Sequence, residues 1–131
     1  MSEENVEVVR RMYQAYRGGN AEGALAYYDP NVVVDASVRM DGGIGHGRDE
    51  LVQIIGGWID AFDEWNEDIE EIRGLGNHVL VVSTQRGIAK RTGIEVHARY
   101  ALLYRVKQGT ITRLTLFANE AEALGAAEIS E

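Results

Sequence analysis

Val6, Val9, Tyr13 and Tyr16 recur at three- and four-residue steps, which predicts a first helix with one apolar face, ended by Gly18-Gly19. Ser2 reads as its cap, with Glu3 and Glu4 placed well near the positive end of the helix dipole. Asn20 reads as a fresh cap for a short second helix, carrying Leu25 and Tyr28 until Asp29-Pro30 breaks it. Val32–Ala36 then predicts a short strand. Next comes a glycine-rich piece, 42–47, with neither the Lys-Ser/Thr ending of a phosphate loop nor the context of a dinucleotide fingerprint, so it reads as a flexible connection. Beside it, Asp41 reads as a turn former. Leu51, Ile54, Ile55, Trp58, Ile59 and Phe62 form one stripe, the signature of a third amphipathic helix.

The period changes after Asn66. Ile69 and Ile72 among acids suggest an edge strand whose charges discourage further pairing. The segments His78–Lys90, Ile94–Lys107 and Thr110–Asn119 read as strands joined by hairpins at Arg91–Gly93 and Gln108-Gly109. A short alanine-rich helix is expected at Glu120–Ala127. Helices first and a long meander afterwards indicate an α+β fold, expected as a single domain over 1–131. A strongly curved antiparallel sheet with helices on its concave side would form a cone with an open mouth. Alternation assigns Val96, Ala98, Tyr100, Leu102, Tyr104 and Val106 to the inside, joined by Leu114, Leu116 and Ala118. The other set, with Phe117, falls on an outer face that could meet a second copy. The hairpin register leaves Arg86 open to either face; inside, it would bind an anionic group.

Composition narrows the function classes. The 131 residues are 45% hydrophobic, a globular balance, with no cysteine and hence no disulfide or thiolate chemistry. The formal charge of −8 and the lack of a dense basic run argue against nucleic acid. No apolar run reaches the ~20 residues of a membrane span. The polar start MSEENVEVV is unlike a secretory signal, so a cytoplasmic location is expected. Its three histidines, His46, His78 and His97, have no metal-ligand spacing, and no metal is expected.

Several stretches together carry a resemblance: ENVEVVRRMYQAY, NAEGALAYYDPNVVVDAS, GHGRDELVQIIGGW and GTITRLTLFANEAEAL. In order and spacing the chain resembles the SnoaL-like family of the NTF2-like superfamily, related to ketosteroid isomerases and polyketide cyclases. The resemblance implies the cone-shaped NTF2-like fold, no cofactor, a homodimer, and a mainly apolar pocket for a small hydrophobic organic molecule. Ketosteroid isomerases place a general-base aspartate just after the first short strand, where Asp35 falls, and an oxyanion-binding tyrosine on the first helix, where Tyr13 falls. Their second, protonated aspartate corresponds to Ala101 or Leu102, and neither can donate a proton. The resemblance to polyketide cyclases asks for less: one acid, an enclosed apolar pocket and a few orienting donors.

Asp35 and Tyr13 are therefore the candidate catalytic pair. The candidate substrate-binding residues are Tyr16, His46, Trp58, Arg86, Tyr100, Leu102, Leu114 and Leu116. A carboxylate closing a valine run is costly without a partner, and burial would raise its pKa into a useful range. The plain alternative is a strand-end aspartate folded back onto nearby backbone amides with help from Ser37. The functional expectation is cofactor-independent acid/base chemistry of the cyclase, isomerase or dehydratase type. The other reading is a non-catalytic ligand-binding or dimerisation module.

Overall fold

The computed structural model describes residues 2–39 and 42–129. The Ser2 side chain and Asp41, read above as a cap and a turn former, lie outside what is described. Three helices come early: α1 (Ser2–Arg17), α2 (Ala21–Leu25) and α3 (Arg48–Asp60). The strands are β1 (Tyr28–Asp35), β2 (Ile44–His46), β3 (Phe62–Leu75), β4 (His78–Ala89), β5 (Glu95–Lys107) and β6 (Thr110–Phe117), and α4 (Glu120–Ile129) follows. Asn20 caps α2 as expected, its side chain accepting from the Gly23 amide at 2.9 Å.

The strands form one curved, unclosed sheet in the order β2-β1-β6-β5-β4-β3. The stretch from β3 to β6 is the antiparallel meander expected from the hairpins. The pairing of β1 with β6 is parallel, so the sheet as a whole is mixed. Two irregularities in β3, at Asp63/Asn66 and Ile69/Glu71, supply local bends in its longest edge strand.

Three boundaries differ from expectation. Tyr28 opens β1 instead of closing α2, and Pro30 lies within the strand. It is tolerated because the β1–β6 register shifts between Tyr28 and Val33, where no regular ladder bond is required of it. Phe62 opens β3 rather than ending α3. Part of the glycine-rich connection is itself a strand: Ile44–His46 pairs antiparallel with Val33–Asp35. Gly45 is what allows this. A Cβ there would press on Ile54 and Glu50 of α3, so only glycine lets helix and strand approach so closely.

The main core lies between the early helices and one sheet face. Val9, Met12 and Tyr13 of α1 and Leu51 of α3 pack with Val34, Val81, Leu102, Tyr104 and Leu114 from the sheet. Each fully buried aliphatic side chain contributes about 1.5–3 kcal/mol relative to exposure. On the opposite face α4 covers a smaller cluster, in which Ala123 meets Leu80, Val82 and Ala101, with Phe117 beside them. The alternation on β5 and β6 thus places Leu102, Tyr104, Val106, Leu114 and Leu116 inside and Ala101 and Phe117 outside as anticipated, whereas Ala118, expected inside, falls beyond the end of β6 and is exposed. Beyond α4 the outer face is charged: Arg99 bridges Glu70 and Glu120 at 3.1 and 2.9 Å.

Candidate functional site

A cavity of about 380 Å3 opens between α1, α2, α3 and the inner sheet face. Its wall is mostly aliphatic and aromatic, within the size range of small-molecule sites. Two polar groupings interrupt it.

The first is a set of tyrosines. The Tyr13 and Tyr104 hydroxyls share a 2.6 Å hydrogen bond, their rings meeting edge to face at 6.1 Å. Tyr28 lies beside them and donates to the Met12 sulfur at 3.7 Å. Burial raises all three phenols above their ordinary pKa of 10, so at neutral pH they are proton donors. The helical spacing of α1 delivers Tyr13 and the alternation of β5 delivers Tyr104.

The second grouping is a polar stripe of four side chains. Glu67, on β3, lines the cavity and is partly buried. Loss of hydration raises its carboxyl above the usual 4.5, while the Ser83 and Gln85 side chains and the Arg17 charge act the other way. The Gln85 side-chain amide donates to Glu67 Oε2 at 3.4 Å, and Trp58 Nε1 donates to Gln85 Oε1 at 3.1 Å. Over the Trp58 ring lies the guanidinium of Arg39, its carbon 4.4 Å from the ring centre. Trp58 is also held by Phe62 and Trp65, with centroids at 4.9 and 6.4 Å.

Arg39 is delivered by a loop. Its amide donates to Ala36 O, and its own carbonyl accepts from the Gly42 amide, both at 3.1 Å. The Ala36 amide donates to Gly43 O at 2.8 Å, closing the turn. A Cβ at Gly42 would overlap the Ala36 carbonyl oxygen, so this turn requires glycine.

Six of the ten residues expected from sequence line this cavity: Tyr13, Tyr16, Trp58, Leu102, Leu114 and Leu116. Four do not, and parity along the strands explains three of them. Val32, Val34 and Ala36 point into the core, which puts Asp35 on the opposite face of β1. There its Oδ1 accepts from the Ser37 amide at 3.0 Å and from the Ser37 hydroxyl at 2.6 Å, with Arg113 at 3.7 Å. Asp35 is therefore withdrawn as the acid of the cavity. Arg86 shares the outer face with Asp68, to which it donates at 2.6 Å. Gly45 faces α3, so its neighbour His46 is turned outward and exposed. Tyr100 is on the inner face but packs against the core away from the cavity wall.

Glu67 was readable in the sequence but missed. Trp65, Glu67 and Ile69 alternate with Asn66 and Asp68, and that period puts the acid on the same face as its apolar neighbours. Arg39 left no such signal, being in a loop.

Helices over one face of a curved, unclosed sheet, with an apolar cavity between them, define an NTF2-like α+β protein. The SnoaL-like domain model matches residues 9–114, and the chain belongs to that family. An NTF2-like protein of unknown function from Burkholderia pseudomallei is 25% identical, with a TM-score of 0.75 over 95% of this chain and 97% of that one. An NTF2-like protein from Burkholderia thailandensis is 20% identical and superposes with a TM-score of 0.78, covering 94% and 95% of the two chains. TerC, crystallised with polyporic acid, is 18% identical, with a TM-score of 0.73 over 95% and 98%. No curated protein matches the sequence. Among the described residues no helix is long and apolar enough to cross a membrane, and no His/Cys/Asp/Glu group has the geometry of a metal site.

Proposed function

We propose that the chain binds a small, mainly apolar organic molecule in this cavity and performs proton-transfer chemistry on it without a cofactor. The observation that carries this reading is Glu67: a carboxyl group with a raised pKa on the wall of a mainly apolar cavity. Glu67 would take a proton from an activated carbon and return it elsewhere on the ligand, the net outcome of an isomerisation or of a cyclisation step. The Tyr13–Tyr104 pair would donate to the oxygen on which negative charge develops. The expected homodimer belongs to the same proposal, with the outer sheet face as its contact and sedimentation velocity as its readout.

The test uses a generic carbon acid. 2-Tetralone in D2O exchanges its α-protons slowly in buffer, and the protein is expected to accelerate that exchange. Glu67→Gln should lose at least about 100-fold of the acceleration, while Asp35→Asn should stay within about twofold of the parent. Acceleration unaffected by Glu67→Gln would overturn the assignment. Binding of 2-tetralone with no exchange would leave a ligand-binding module, the alternative reading of the same cavity.

A further inference from the structure

Gly56 stands in the interior of α3 with a negative φ, as does Gly57 after it. A glycine there weakens a helix relative to alanine. Gly42 and Gly45 are required by contact, since a Cβ at either would press on a neighbour. A Cβ at Gly56 would have nothing within 4 Å. Neither backbone conformation nor packing calls for this glycine. Its position does. Val52, Gly56 and Ile59 follow one another at helical spacing and all line the cavity, so Gly56 is a gap one side chain wide in that wall. The exposed members of the wall are Tyr16, Ala21, Glu22 and Val52, which places the mouth between the α1–α2 corner and α3, beside the gap. Tyr16 and Val52 are 41% and 52% exposed, so the rim presents apolar surface to water from both sides. The hydrogen-bonded hydroxyls of Tyr13 and Tyr104 lie at the other, buried end.

We propose that Gly56 sets the length of ligand the cavity accepts: an elongated molecule enters polar end first, and its flat apolar end lies in the mouth across the bare backbone of Gly56. This rests on the reading of the cavity as a small-molecule site and adds the ligand's class to it, a ring-bearing molecule with one polar end. Three observations converge. The hydroxyls that can satisfy a polar end are deep in the cavity, where leaving such a group unpaired is costly. The rim is apolar on both sides, so a ring seated there removes the exposed faces of Tyr16 and Val52 from water. The helix gives up stability at the position where a side chain would fill the gap between Val52 and Ile59. A ring edge can rest on the Gly56 backbone, and any larger residue there would hold it off. Gly57 is exposed and lies outside the wall, so it separates the effect of the gap from the effect of a glycine in the helix.

The test compares 2-naphthamide with anthracene-2-carboxamide, which has the same polar end and one more ring, by quenching of tryptophan emission at pH 7. The parent should bind the longer amide at least about fivefold more tightly. Gly56→Leu should bring that ratio to one or below, Gly56→Ala should remove part of it, and Gly57→Ala should leave it unchanged. Circular dichroism melts check folding, and both alanine variants should melt about 3 °C higher than the parent. Should Gly56→Leu fail to fold, Gly56→Ala decides. Weaker binding of the longer probe by a variant that is more stable is a result that a purely structural glycine would not give. A parent that binds both amides equally overturns the proposal and leaves the cavity reading standing, as does a ratio unchanged in the Gly56 variants. An equal loss in Gly57→Ala also overturns it, because the pair would then act through the helix and not through the gap. If neither probe binds the parent, the proposal and the cavity reading fall together.

Discussion

Glu67 and Asp35 are carboxylates on opposite faces of one sheet. Asp35 is held by the Ser37 amide and hydroxyl and by Arg113, a set of contacts that binds it to its own loop. Glu67 faces the cavity, where lost hydration raises its pKa. One residue of parity separates a structural acid from a candidate acid/base. The contrast teaches that an acid's suitability for proton transfer depends on what its face of the strand is packed against, and less on its place in the element order.

The largest expected effect is on chemistry. In the 2-tetralone exchange, the gap between Glu67→Gln and Asp35→Asn should be at least about 50-fold, or over ~2 kcal/mol of transition-state stabilisation. Equal effects of the two substitutions would erase the distinction between the faces. Gly42→Ala should come next, at about 3 kcal/mol by urea denaturation, because the new methyl group must displace the Ala36 carbonyl. The same variant should weaken Arg39's hold on Trp58, read as a change in tryptophan emission. Tyr104→Phe should cost about 2 kcal/mol, since it removes the partner of the Tyr13 hydroxyl in a buried setting.

The pH dependence of stability gives a further readout of Glu67. The folded pKa of Glu67 is raised, so between 4.5 and that higher value the folded state binds more protons than the unfolded state. Glu67 therefore lowers stability as pH rises through that window. Glu67→Gln should flatten this part of the profile in denaturation curves taken between pH 4.5 and 8. The smallest effect is expected for Asp35→Asn, under about 1 kcal/mol, since it weakens a partly exposed ion pair while the amide side chain can still accept from Ser37.

Much of this was legible in the sequence where a period existed. The 3.6-residue stripe of α1 delivered Tyr13 and Tyr16, and the alternation of β5 and β6 delivered Leu102, Leu114 and Leu116. Asp35 was misread because Val32, Val33 and Val34 form a continuous run, and such a run does not reveal which face its end occupies. Glu67 was hidden by its own neighbours: in a stretch so rich in acids, a solvated edge was the simpler reading. Arg39 could not be found by periodicity, because its position depends on the turn that Gly42 closes. The parallel β1–β6 pairing joins distant parts of the chain, and no local pattern encodes it.

The most direct measurement is the titration of the Glu67 side-chain carboxyl carbon by NMR, with the cavity empty and then filled with neutral 2-naphthamide. A midpoint above 4.5 that climbs further when the probe displaces water is the predicted result. A midpoint at or below 4.5, or one that the bound probe leaves unmoved, would contradict the claim that this carboxyl group faces the cavity and is tuned by it.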